Sequence, residues 1–103
     1  MASEEFIVGL NYVILVANSS RNHPAIKKQM TEFINSAAGI QAKLERAPEP
    51  SLKTGGKIFK ILGEILDMLN KGIPNKPQHI TKASSLLIEL DSLISETPEH
   101  EKN

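Results

Sequence analysis

Spacing alone marks residues 55–72 (GGKIFKILGEILDMLNKG) as the clearest helix in the chain. Ile58, Phe59, Ile61, Leu62, Ile65, Leu66, Met68 and Leu69 fall on one side of a helical period. Lys57, Lys60, Glu64, Asp67, Asn70 and Lys71 fall on the other. The apolar arc covers roughly 180°, too wide for a two-stranded coiled-coil seam, so it predicts a helix wedged between several neighbours. Thr54 is expected as the N-cap, Gly72 as the C′ residue and Pro74 as the stop. Gly63 costs about 1 kcal/mol against Ala inside a helix. Its place at the edge of the arc predicts the close approach of another backbone.

Three other segments carry the same period. From Ser3, with Glu4 and Glu5 in a first turn where the helix dipole favours acids, a helix is expected to about Ala17. Its Phe6, Leu10, Val13 and Ala17 share one face, whereas Val8, Tyr12, Leu15 and Val16 cover the opposite side. The Ile and Val content would also suit a strand, but no other segment alternates to pair with it. After the polar connection NSSRNH, Pro24 suits the first position of a second helix. There Ile26, Met30, Phe33, Ala37, Ile40 and Leu44 make a narrow stripe ending near Arg46. Ala37, Ala38 and Gly39 slim its middle and predict close packing there. Two prolines in APEPSLK end it, and GIPNKP forms the next turn. The last helix, about 78–96, turns Ile80, Ala83, Leu86, Leu87, Leu90, Leu93 and Ile94 inward. Ile88 lies outside that arc and Asp91 near its edge; residues 97–103 read as a frayed tail.

Four amphipathic helices (about 3–17, 24–46, 55–71 and 78–96) with short loops predict one all-α domain over residues 1–103. The expected architecture is an up-down-up-down four-helix bundle with antiparallel neighbours. A chain of 103 residues can bury such a core without staples. The absence of cysteine excludes disulfides, thiolate metal sites and thiol nucleophiles. Zero net charge argues against indiscriminate binding to nucleic acid or membrane. FIVGLNYVILVA is too short to span a bilayer, and acids precede it where an export signal carries positive charge, so a cytoplasmic protein without a membrane anchor is expected.

Catalytic chemistry finds little footing. His23, His79 and His100 lie in three segments with no H-x-x-x-H or E-x-x-H pair, so no metal site, no cofactor and no enzyme are expected. The run His79-Ile80-Thr81-Lys82-Ala83-Ser84-Ser85 resembles the H-x-x-K-G-S-S motif of histidine phosphotransfer domains, themselves four-helix bundles. That resemblance implies His79 as phosphoacceptor and Lys82 as its electrostatic partner. Ala83 stands in place of the family's glycine, Pro77 puts His79 in a first turn, and no helical hairpin follows. Asp91-Ser92-Leu93 is similar to the phosphopantetheine attachment motif of acyl carrier proteins, with only ten residues after it. GGKIFKILGEIL is similar to membrane-surface peptides, but a bundle needs its apolar face for the core.

Two surfaces remain as candidates. No acid lies between Glu5 and Glu32, or between Asp67 and Glu89. In an alternating bundle the 18–23 and 71–78 turns share an end, gathering Arg21, Lys27, Lys28, Lys71, Lys76 and Lys82 with the starts of two helices. Such an end suits a phosphate, a nucleic acid or an acidic protein segment, although lysines also keep turns soluble. The second surface is Val8, Tyr12, Leu15 and Val16. A helix apolar on both sides in so small a domain is expected to be covered twice, by its own core and by a partner. The expected function is a small interaction module of adaptor, immunity or regulatory type. Its partner would be another protein or itself, as a homodimer through the first helix.

Overall fold

The computed structural model describes residues 2–20, 24, 26–70 and 77–102, with only the backbone described at 2, 3, 20 and 96–102. It contains four helices and, among the described residues, no strand: α1 (Ala2–Ser20), α2 (Lys27–Arg46), α3 (Leu52–Leu69) and α4 (Pro77–Lys102). The all-α four-helix bundle expected from the spacing is what forms. One continuous core runs along it, built from Phe6, Leu10, Val13 and Ala17 of α1, Ile26 just before α2 and the Met30–Leu44 stripe within it, Ile58, Ile61, Leu62, Ile65 and Leu69 of α3, and Ile80, Ala83, Leu86, Leu87, Leu90 and Ile94 of α4.

Helices joined in sequence run in opposite directions, yet not all of them touch. α1 packs on α2 and on α3, and α4 packs on α3 and on α2. Phe6 meets Gly55 and Phe59, and Gly9 meets Leu62, so α1 and α3 advance together and are parallel. Gln29 reaches Pro77 and Thr81, and Lys43 reaches Asp91 and Ser95, so α2 and α4 are parallel too. Two antiparallel hairpins, α1α2 and α3α4, therefore lie side by side. The α2–α3 connection crosses the diagonal of the bundle.

The sequence of that connection suits the crossing. With helix axes about 10 Å apart the diagonal is about 14 Å. Residues 47–51 cover about 15 Å if extended at about 3.1 Å each. Ala47 (φ −81°, ψ 149°) and Ser51 (φ −66°, ψ 165°) are extended, and Pro48 and Pro50 between them hold their own φ in the same range.

Several local expectations need correction. Ser51, not Thr54, caps α3: the Thr54 amide donates to Ser51 Oγ at 3.2 Å, because the extended backbone after Pro50 puts the serine just outside the first turn. α2 begins at Lys27 rather than Pro24, since Ile26 has a non-helical backbone (φ −124°, ψ 5°). α3 ends at Leu69 with Asn70 as its C-cap, and the expected roles of Gly72 and Pro74 lie outside the described residues. α4 runs to Lys102, through Pro98, where a frayed tail was expected; Glu99, Glu101 and Lys102 are good helix formers.

Close helix packing also falls elsewhere than expected. Among the described residues a Cβ at Gly39 or Gly63 would meet nothing within 4 Å, so neither glycine admits one of them as a neighbour. Gly9 and Gly55 do. A Cβ at Gly9 would stand 3.0 Å from Leu62 Cδ1, and one at Gly55 3.3 Å from Phe6 Cζ. These two glycines let the parallel helices α1 and α3 close on each other.

Candidate functional site

The core stripe of α1 fixes which residues face out. With Phe6, Leu10, Val13 and Ala17 buried, Ile7 and Ile14 pack half-buried against the core. Asn11 on the α2 side accepts a hydrogen bond from Gln41 Nε2 at 2.6 Å, and Gln41 also donates to Ile7 O at 3.3 Å. Opposite the core, Val8, Tyr12 and Leu15 stand 64%, 52% and 64% exposed at i, i+4 and i+7. Val16, expected to join them, is half-buried and packs against the core, because it lies two turns after Gly9, on the side of α1 that meets Leu62. The outward stripe carries no charge beyond Glu4 and Glu5 at its start, both exposed in the first turn.

Phe59 adds to this surface, and sequence reasoning missed it. Its spacing places it on the core arc of α3. Its ring instead meets Phe6 edge-on, with centroids 4.7 Å apart and planes at 61°, and remains 47% exposed. The signal available was its position at the rim of a half-circle of apolar residues. Because Phe6 belongs to α1, this contact puts Phe59 at the junction of α1 and α3.

The basic end is only partly visible. Arg21, Lys71 and Lys76 lie outside the described residues, as does His23. Lys27 and Lys28 are exposed at the start of α2 and line a shallow groove with Pro24, Thr31 and Glu32. Lys82 lines a different groove, on the α3 side of α4, with Lys60, Gly63, Glu64 and Asp67. The starts of α2 and α4 do lie together, since Gln29 Nε2 donates to Pro77 O at 3.3 Å and to Thr81 Oγ1 at 3.0 Å. Neither helix has an acid in its first turn.

His79 sits in the first turn of α4, half-buried, with its Nδ1 buried and, among the described residues, without a hydrogen-bond partner. Asp91 and Ser92 lie within α4 rather than at a helix start, and Asp91 is engaged by Lys43 at 2.6 Å. An open groove of about 610 Å³ runs between α2 and α4, with Ser36, Gly39 and Ser84 among its lining residues and Ile88 on its rim. Among the described residues no group of His, Asp or Glu is placed to hold a metal ion, and no helix is long and apolar enough to cross a membrane. No known family, curated protein or solved structure matches the chain.

Proposed function

We propose that this bundle is a non-enzymatic protein–protein interaction module that associates with a second copy of itself through the outward face of α1. The observation that carries the reading is the solvent exposure of Val8, Tyr12 and Leu15 on one helix stripe that carries no charge beyond Glu4 and Glu5 at its start. Keeping three large apolar side chains in line against water is a liability that a partner removes. Past that first turn the stripe is neutral and compatible with its own copy, since no like charges meet along Val8, Tyr12 and Leu15. An adaptor, immunity or regulatory role in the cytoplasm fits a module of this kind.

Sedimentation of the wild type and of Val8→Glu/Leu15→Glu tests this directly. The wild type should associate at tens of micromolar, and the variant should be a folded monomer. A wild type that stays monomeric at that concentration sinks the reading.

A second reading, anion binding at the end where α2 and α4 begin, draws on their adjacent, acid-free first turns and exposed Lys27 and Lys28. Retention on heparin at physiological salt, lost in Lys27→Glu/Lys28→Glu, would support it. Passage straight through the column would remove it. For phosphotransfer through His79, mass measurement after incubation with a phosphodonor, beside His79→Gln, gives the answer.

A further inference from the structure

Resting on the self-association just proposed, we infer that the second copy packs antiparallel about a twofold axis beside Tyr12, and that the contact reaches across to Phe59 on α3. Area argues for the reach. Residues 4–19 of α1 span about 24 Å, and one helix is about 10–12 Å wide. The α1 stripe alone would bury about 550 Å² over both copies, in the range of incidental contacts. Widening the face to two helices roughly doubles this, to about 1,000 Å², where specific interfaces begin.

The widening can go toward α2 or toward α3, and chemistry separates the two. On the α2 side the border is amide, formed by the bonded pair Asn11 and Gln41. On the α3 side it is Phe59, nearly half exposed, next to Phe6 at the end where Gly55 is closely approached, and half-buried Val16 lies farther along α1. An aromatic ring already held by Phe6 loses little freedom on contact.

Charge sets the direction. α1 carries Glu4 and Glu5 at its start, and Arg21 follows it in sequence. Parallel apposition would bring the Glu5 carboxylates of both copies to one end and align two helix dipoles. Antiparallel apposition sets Glu5 of each copy toward the end of the other where α2 starts with exposed Lys27 and Lys28, and opposes the dipoles. Val8 and Leu15 are equally far from the point between Asn11 and Tyr12. A twofold axis there puts Val8 of each copy against Leu15 of the other, with Tyr12 next to its own symmetry mate.

The chain has no cysteine, so single introduced thiols report the geometry cleanly. A tagged Val8→Cys chain mixed with Leu15→Cys under mild oxidation should give the mixed covalent dimer. Tyr12→Cys should link to itself, and Val8→Cys alone should not. Self-linking of Val8→Cys as fast as the mixed reaction overturns the antiparallel arrangement while leaving self-association intact. For the α3 edge, maleimide labelling of Phe59→Cys should slow at least fivefold between dilute and associating concentrations, with exposed Ile88→Cys on α4 unchanged. A folded Phe59→Cys that no longer associates supports the same contact. One that associates and labels at an unchanged rate overturns it. A wild type that never associates removes the parent reading and this one together.

Discussion

Lys43 Nζ on α2 meets Asp91 Oδ1 on α4 at 2.6 Å, across two helices that run in the same direction. The offset between those residues is 48, and it recurs between Gln29 and Pro77 at the other end of the pair. A second offset, 52, joins Lys43 to Ser95 and Gln29 to Thr81. α2 and α4 therefore keep one register along their shared length, held by a polar clasp at each end. Between the clasps small residues leave the groove open. Parallel neighbours gain nothing from opposed dipoles, so side-chain bonds of this kind do more of the aligning than in a hairpin.

The clasp at Lys43 is a matter of register more than of stability. Both side chains are over a third exposed (41% and 45%), and exposed ion pairs contribute at most about 1 kcal/mol. Lys43→Ala should lower the unfolding free energy by less than about 1 kcal/mol, and molar salt should erase most of the difference. Urea melts at two salt concentrations read both effects.

Two glycines in helices should answer oppositely to the same substitution. Gly63→Ala adds a Cβ into open space and should stabilise by up to about 1 kcal/mol through helix propensity. Gly9→Ala brings a Cβ to 3.0 Å from the Cδ1 of buried Leu62, which has little room to retreat. Overpacking there should outweigh the propensity gain and give a net loss of about 1 kcal/mol. Paired denaturation curves decide; equal gains at both sites would mean α1 and α3 sit farther apart.

Ser51→Ala should cost about 1 kcal/mol, the usual value of an N-cap, because the Thr54 amide loses its acceptor. Thr54→Ala should cost less, since its amide remains capped. Thermal melts would separate the two. The reverse order would restore Thr54 as the cap.

On α1 the two faces should separate cleanly at concentrations too low for association. Leu10→Ala, at a fully buried position, should cost about 3 kcal/mol. Leu15→Ala, at a position 64% exposed, should stay within about 0.5 kcal/mol of wild type. Chemical denaturation of both variants, monitored by circular dichroism, checks the contrast.

Periodicity made the core legible. The α2 stripe from Ile26 to Leu44 and the α1 stripe from Phe6 to Ala17 are buried as their spacing implied, and Val8, Tyr12 and Leu15 face out as expected. Each of these follows from one helix considered alone, where the direction of a side chain depends only on its count along the chain. Phe59 and Val16 were misjudged because both sit at the rim of an arc, where exposure depends on which neighbour stands beside it. The same limit applies to Gly63 and Gly39, whose cost in the helix is visible in sequence but whose surroundings are not.

By itself the sequence determined that four helices form, which stripe of each is greasy enough to turn inward, and that prolines separate them. Spacing and backbone sterics act within a few residues, so no folded context is needed to read them. Only the tertiary structure decided that α1 lies beside α3 and not α4, that the 47–51 segment crosses the diagonal, and that Phe59 joins the α1 surface. Hydrophobic burial has no direction of its own, and an apolar stripe packs on any complementary one. The contacts that distinguish the partners are distant in sequence, Gly9 against Leu62 and Lys43 against Asp91, and no local pattern announces them.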